Sequence, residues 1–94
     1  MHHLLFMPTE GLNLFNNSFS GTIPEHLNLR RLDYLDLGRN QLTGTIPADW
    51  SDDMVSLHSL YLDHNRLTGS LPENWESLGK GRLEGMMLND NHLT

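Results

Sequence analysis

Three aspartates recur along this 94-residue chain, Asp36, Asp63 and Asp90, each at or just behind a step of alternating apolar residues. Neighbouring carboxylates can work as acid and base, or hold a cation. These three sit at different offsets from their apolar neighbours, so stacking the segments would place them in different columns. An open surface also gives little desolvation to shift a pKa. The chain is therefore read as a non-enzyme with no catalytic residue. The six histidines show no ligand spacing. His2 and His3 are terminal, His26 and His92 stand alone, and His58 and His64 flank one short segment at opposite ends. No metal or cofactor is expected. There is no cysteine, which excludes disulfides, thiolate zinc sites and a cysteine nucleophile. The remaining chemistry is recognition. Tyr34 and Tyr61 stand near Asp36, Asp63 and Arg39, and aromatic residues with Arg and Asp suit a binding surface.

The elements that position these residues are set by leucine. Of 35 hydrophobic residues 19 are Leu, while Val, Ile and Phe supply only six together. That is too few β-branched residues for an ordinary β-sandwich, yet enough apolar content for one small domain. The leucines are phased. Leu35, Leu37, Asn40, Leu42, Gly44, Ile46 and Pro47 are followed in the same order by Leu60, Leu62, Asn65, Leu67, Gly69, Leu71 and Pro72. An earlier copy runs Leu12, Leu14, Asn17, Phe19, Gly21, Ile23 and Pro24. A later one begins Met86, Leu88, Asn91 and Leu93. The Asn-to-Asn steps are 23, 25 and 26 residues. Leu32, Leu57 and Leu83 precede the last three copies, with Thr9 in the equivalent place of the first.

This order resembles the leucine-rich repeat, L-x-x-L-x-L-x-x-N-x-L. The tails Leu-Thr-Gly-Thr-Ile-Pro (42–47), Leu-Thr-Gly-Ser-Leu-Pro (67–72) and Phe-Ser-Gly-Thr-Ile-Pro (19–24) look like its plant-type subclass. The likeness covers residues 9–94. It implies an α/β leucine-rich-repeat horseshoe. This is a right-handed solenoid with a parallel concave sheet and irregular, 3-10 or short helical convex segments. The resemblance also implies a second short strand in the Gly-x-Ile/Leu-Pro tail. Units fall at about 9–31, 32–56, 57–82 and, in part, 83–94, within a single domain of 1–94. Family repeats usually have 24 residues, and the departures all follow the proline. Asp52-Asp53 and Gly79-Lys80-Gly81 are read as exposed insertions, and Leu27, Trp50 and Trp75 as apolar plugs of the convex side.

Period-two alternation in Leu35-Asp36-Leu37 and Leu60-Tyr61-Leu62 is that of a half-buried strand. A strand this short needs stacked neighbours, so the leucines should form a ladder inside. The interleaved residues then face out in four columns. These are Gly11, Tyr34, Ser59 and Gly85; Asn13, Asp36, Tyr61 and Met87; Phe15, Gly38, Asp63 and Asn89; and Asn16, Arg39, His64 and Asp90. Partner-binding candidates on this face are Tyr34, Asp36, Arg39, Tyr61, Asp63, His64, Met87, Asn89 and Asp90. Asn17, Asn40, Asn65 and Asn91 recur where the chain leaves the strand. An amide carries both donor and acceptor, so their stacked column can bond the turns above and below. Asn16 heads the one N-glycosylation sequon, Asn16-Asn17-Ser18.

The formal net charge of −6 disfavours nucleic acid and adsorption to anionic membranes. No apolar run approaches the roughly 20 residues of a membrane span. The chain starts inside a unit and stops at Thr94, before the expected tail, so an excerpt of a longer array is expected, uncapped at both ends and able to associate with itself. The resemblance implies recognition of a protein, peptide or glycan, as in receptor-like ectodomains and polygalacturonase-inhibitor-like proteins, outside the cell or at its surface. The residues themselves leave an alternative open, an intracellular scaffold segment with no ligand of its own.

Overall fold

Each copy of the leucine pattern makes two short strands, and each strand pairs with its counterpart in the next copy. The computed structural model describes residues 11–23, 30–50, 54–72, 75 and 82–94. His2, His3, Thr9, Pro24, His26, Leu27, Asp52-Asp53 and Gly79-Lys80-Gly81 lie outside the described residues. Strand β1 (Gly11–Asn13) pairs in parallel with β3 (Tyr34–Asp36), β3 with β5 (Ser59–Tyr61), and β5 with β7 (Gly85–Met87). Leu12, Leu35, Leu60 and Met86 stand in register, so identical positions of successive units share one column. Parallel neighbours need a long return connection, which the residues between strands supply.

The second sheet is built from β2 (Ser20–Thr22), β4 (Gln41–Thr45), β6 (Arg66–Gly69) and β8 (His92–Leu93), also parallel and in that order. Its strands start earlier than the tail reading expects. β4 opens directly behind Asn40, and Ile46-Pro47 and Leu71-Pro72 fall beyond the strands. Pairing is also offset by two residues per unit, Thr22 facing Thr43 and Thr45 facing Thr68. The glycine is the last or next-to-last residue of β2, β4 and β6. Gly44 and Gly69 have φ of 80° and 81°, a left-handed backbone that turns the chain out of the extended conformation. A Cβ at Gly44 would also lie 2.9 Å from the Thr22 methyl.

Between the two sheets and the return segments lies the core: Leu32, Leu35, Leu37, Leu42, Leu57, Leu60, Leu62 and Leu67, closed by Ile23, Ile46, Met54, Trp50 and Trp75. Burying one leucine contributes roughly 1.5–3 kcal/mol. Trp50 is fully buried, and the Met54 N–H donates to its carbonyl at 2.8 Å. Met86 shares the inner leucine column yet is 44% exposed, because β7 is the outermost strand of its sheet.

The asparagines tie each unit to the one before. Asn40 Nδ2 donates to the Leu37 carbonyl of its own turn and to the Leu14 carbonyl of the previous one, both at 3.0 Å, while its Oδ1 accepts from the Phe19 N–H. Asn65 repeats this with Leu62 and Leu37 carbonyls and the Leu42 N–H, and Asn91 with Leu88 and Leu62 carbonyls and the Leu67 N–H. Asn40 and Asn65 are buried. Asn17 is exposed, and its two amide bonds stay within its own turn, to Leu14 and Phe15. Replacing Asn65 with Ala strands the Leu42 N–H and two carbonyls in a dry turn. The expected loss is about 1–3 kcal/mol, measured by urea unfolding. A loss no larger than that of Gln41→Ala, at an exposed position, would contradict the ladder.

Candidate functional site

The outward residues of the first sheet lie in the register that the repeats dictate. Gly11, Tyr34, Ser59 and Gly85 form one column, and Asn13, Asp36, Tyr61 and Met87 the next. Backbone bonds continue past the strand ends. The Asn16 N–H donates to the Gly38 carbonyl, that of Arg39 to Asp63, and that of His64 to Asn89. Strict alternation ends here. Asn16, Arg39, His64 and Asp90 all have positive φ, between 54° and 60°. The left-handed residue turns the chain from the first sheet towards the second. Asn, Asp and His tolerate it better than other side chains with a Cβ; Arg39 is the one long aliphatic stem in this column.

The carboxylates are less exposed than a solvated face would make them. Asp36 is buried, accepting from the Gly38 N–H at 2.9 Å and from the Tyr34 hydroxyl at 3.2 Å. Asp63 is also buried, and its Oδ2 lies 2.8 Å from His64 Nδ1. The other ring nitrogen of His64, Nε2, lies 3.1 Å from Asp90 Oδ2. The imidazole thus bridges a buried and an exposed carboxylate. Asn89 adds a 2.8 Å bond to the same Asp90 oxygen. Three residues from two columns thus form one chain, Asp63–His64–Asp90. Among the described residues no group of three His, Cys, Asp or Glu side chains has the arrangement of a metal site.

Tyr34 and Tyr61 pack edge to face, ring centroids 5.8 Å apart at 64°, a favourable geometry for aromatic pairs. Small neighbours make room for them. Gly11 sits beside the Tyr34 ring, and a Cβ at Gly85 would lie 3.1 Å from the Tyr61 hydroxyl. Burial pushes the Tyr34 phenol above the usual tyrosine value, and the Asp36 charge and hydrogen bond push the same way.

These residues enclose a groove of about 350 Å³. Asp36, Asp63 and His64 line its polar part, Tyr61 its wall, and Arg39, Phe15 and Met87 its rim. Beneath the two carboxylates lies the buried Gly38. A Cβ built there would stand 2.7 Å from Asp63 Oδ1 and 3.1 Å from Asp36 Oδ1. Two carboxylates from different columns therefore meet over a residue without a side chain. Counting columns hid this, because it treats the outward side chains as straight rows. The usable signal was a glycine two residues after Asp36 and in the same column as Asp63. Phe15 and Gly38 stand beside the nine candidates, of which Asn89 and Asp90 lie exposed at the far end and Tyr34 lies next to the groove. Asn16 is exposed at the opposite edge of the face.

The profile of the leucine rich repeat family matches residues 10–67. Among solved structures, the chain is similar to one in the BIR3–SERK2 complex from Arabidopsis thaliana. They share 38% identity and a TM-score of 0.80, over 87% of this chain and 43% of that one. It is equally similar to the BIR2 ectodomain from the same plant, with 38% identity and a TM-score of 0.80 over 87% of this chain and 42% of that one. The chain thus spans less than half the length of these relatives. No curated protein sequence matches it significantly.

The Tyr34 environment predicts that this phenol ionises above the ordinary tyrosine value in an ultraviolet titration, a transition lost in Tyr34→Phe. Because the folded state holds this proton more tightly, stability falls as pH rises above the ordinary tyrosine value of 10.0. Asp36→Asn should bring the Tyr34 transition down towards that value. A Tyr34 transition at the ordinary value in the folded protein would contradict this geometry.

Proposed function

The chain belongs to the leucine-rich repeat family, and from that premise we propose that its concave sheet is a protein-recognition surface within a receptor-like ectodomain. The observation that carries this is the groove beside the Tyr34–Tyr61 pair. It places aromatic rings, buried carboxylates and exposed Arg39, Phe15 and Met87 on one face. Fixed aromatic rings beside charged groups concentrate binding energy in few residues. The pair is pre-organised, since both rings are held by packing and Tyr34 also by Asp36. Less ordering cost then remains for association.

Structural relatives support the setting. One is a chain of a two-protein complex and another is an ectodomain. By that analogy the partner is a protein or peptide, with a glycan as the less favoured ligand, and the location is the cell exterior or surface. Among the described residues no helix is long and apolar enough to cross a membrane. Asn16 is exposed on the first unit and is the proposed glycan attachment point. A glycan there would leave the second to fourth units as the binding region.

A display library of linear peptides tests this reading. Selected binders should lose about tenfold or more in affinity against Tyr61→Ala, the scale of one hot-spot residue, and little against Gln41→Ala. Binders indifferent to both Tyr34→Ala and Tyr61→Ala would overturn the concave-face assignment. Protein secreted from a eukaryotic host should shift in mobility after glycosidase treatment, and Asn16→Gln should abolish that shift. An unshifted band in wild-type protein would remove the glycan proposal.

A further inference from the structure

We infer that Met87 is a reversible oxidation site: a hydroperoxide converts its thioether to the sulfoxide, and the added oxygen weakens what the concave groove binds. The effect on binding rests on the concave-face reading above; the oxidation itself does not.

Three of the chain's five methionines lie among the described residues, each in a different environment. Met54 is fully buried in the core. Met86 stands in the inner leucine column beside Leu60 and is 44% exposed. Met87 alone of the three lies in an outward column, that of Asp36 and Tyr61, and it lines the groove at 45% exposure. Its neighbours leave it open. Tyr61 stands beside it in register, yet the Tyr61 hydroxyl lies 3.1 Å from where a Gly85 Cβ would be. The phenol thus fills the space left by the Gly85 side chain, one column away from Met87.

The oxidant is external, a hydroperoxide. The methionine sulfur attacks the terminal peroxide oxygen, an S–O bond forms and the O–O bond breaks. Sulfur gives up two electrons and the peroxide takes them. The hydroxyl proton passes to the leaving oxygen, which departs as water or an alcohol. Access to the sulfur lone pair is the only requirement on the protein, so exposure decides which methionine reacts. The product matters because of its place. Phe15, Tyr61 and Met87 supply the apolar part of the groove. A sulfoxide replaces a flexible apolar side chain with a polar one. A partner side chain packed on the thioether then meets an oxygen that has lost its water and found no donor. Asp36 and Asp63 already line the groove, and they add acceptors, not donors. Methionine sulfoxide reductases return the thioether, which makes the change reversible.

The test treats the full chain with hydrogen peroxide and follows each methionine by mass spectrometry of tryptic peptides. Cleavage after Arg39, Arg66 and Arg82 puts Met54 in peptide 40–66, and Met86 and Met87 in peptide 83–94, where fragment ions separate them. Met87 should gain one oxygen about tenfold or more faster than Met54, which must wait for local opening. Equal rates at Met87 and Met54 overturn the inference. The second arm uses linear peptides selected on the untreated protein whose binding needs Tyr61. Their affinity should fall about tenfold on oxidation, the scale of one buried apolar side chain, and return after reductase treatment. Met86→Leu should show the same loss. Met87→Leu, compared with its own untreated form, should show none. An equal loss in Met87→Leu overturns the role of Met87 and leaves concave-face recognition standing. Peptides indifferent to both Tyr34→Ala and Tyr61→Ala overturn the concave-face reading and the binding effect with it, while the oxidation rates still decide the site.

Discussion

Where each unit leaves the first sheet, its backbone must turn, and a turn takes N–H and C=O groups out of the ladder. In a dry interior those groups need partners. From the second unit on, one asparagine per unit supplies them, bonding carbonyls of its own turn and the previous one and accepting an N–H at or next to the start of the previous unit's second strand. This makes the turns stack at the strand repeat. Everything outward of the turn inherits that spacing, including the left-handed column at Asn16, Arg39, His64 and Asp90.

The candidate site follows from the same constraint. Strict stacking holds Asp36, Gly38 and Asp63 in fixed relation, so the missing side chain in one unit gives acids from two units room to meet over it. Likewise the glycines at Gly11 and Gly85 give the Tyr34–Tyr61 pair its space. The leucines set the frame alone; selectivity lies in which residues between them are large, small or charged.

Much of the frame was legible because it is periodic. The register of Leu12, Leu35, Leu60 and Met86 and the burial of Trp50 and Trp75 follow from spacing and residue type. The second strand was placed too late, since nothing in the letters of Leu-Thr-Gly-Thr-Ile-Pro says that the glycine's positive φ closes the strand instead of opening it. The acids were legible as residues but not as a group. Asp36 and Asp63 belong to different columns and meet diagonally, and His64 reaches Asp63 and Asp90 from a left-handed position that its neighbour in the column, Arg39, gave no reason to expect. Side-chain direction after a turn depends on backbone geometry that period-two counting does not carry.

Native-state hydrogen exchange resolved by residue tests most directly whether the asparagine column holds the units in register. The Leu42 and Leu67 amides donate to Asn65 and Asn91 across unit boundaries. In wild-type protein both should exchange slowly. In Asn65→Ala the Leu42 amide should speed up well beyond the change at Leu67. If Leu42 keeps its protection, or if both amides change only as much as the global stability does, the turns are held by leucine packing alone and the column is not the determinant of register.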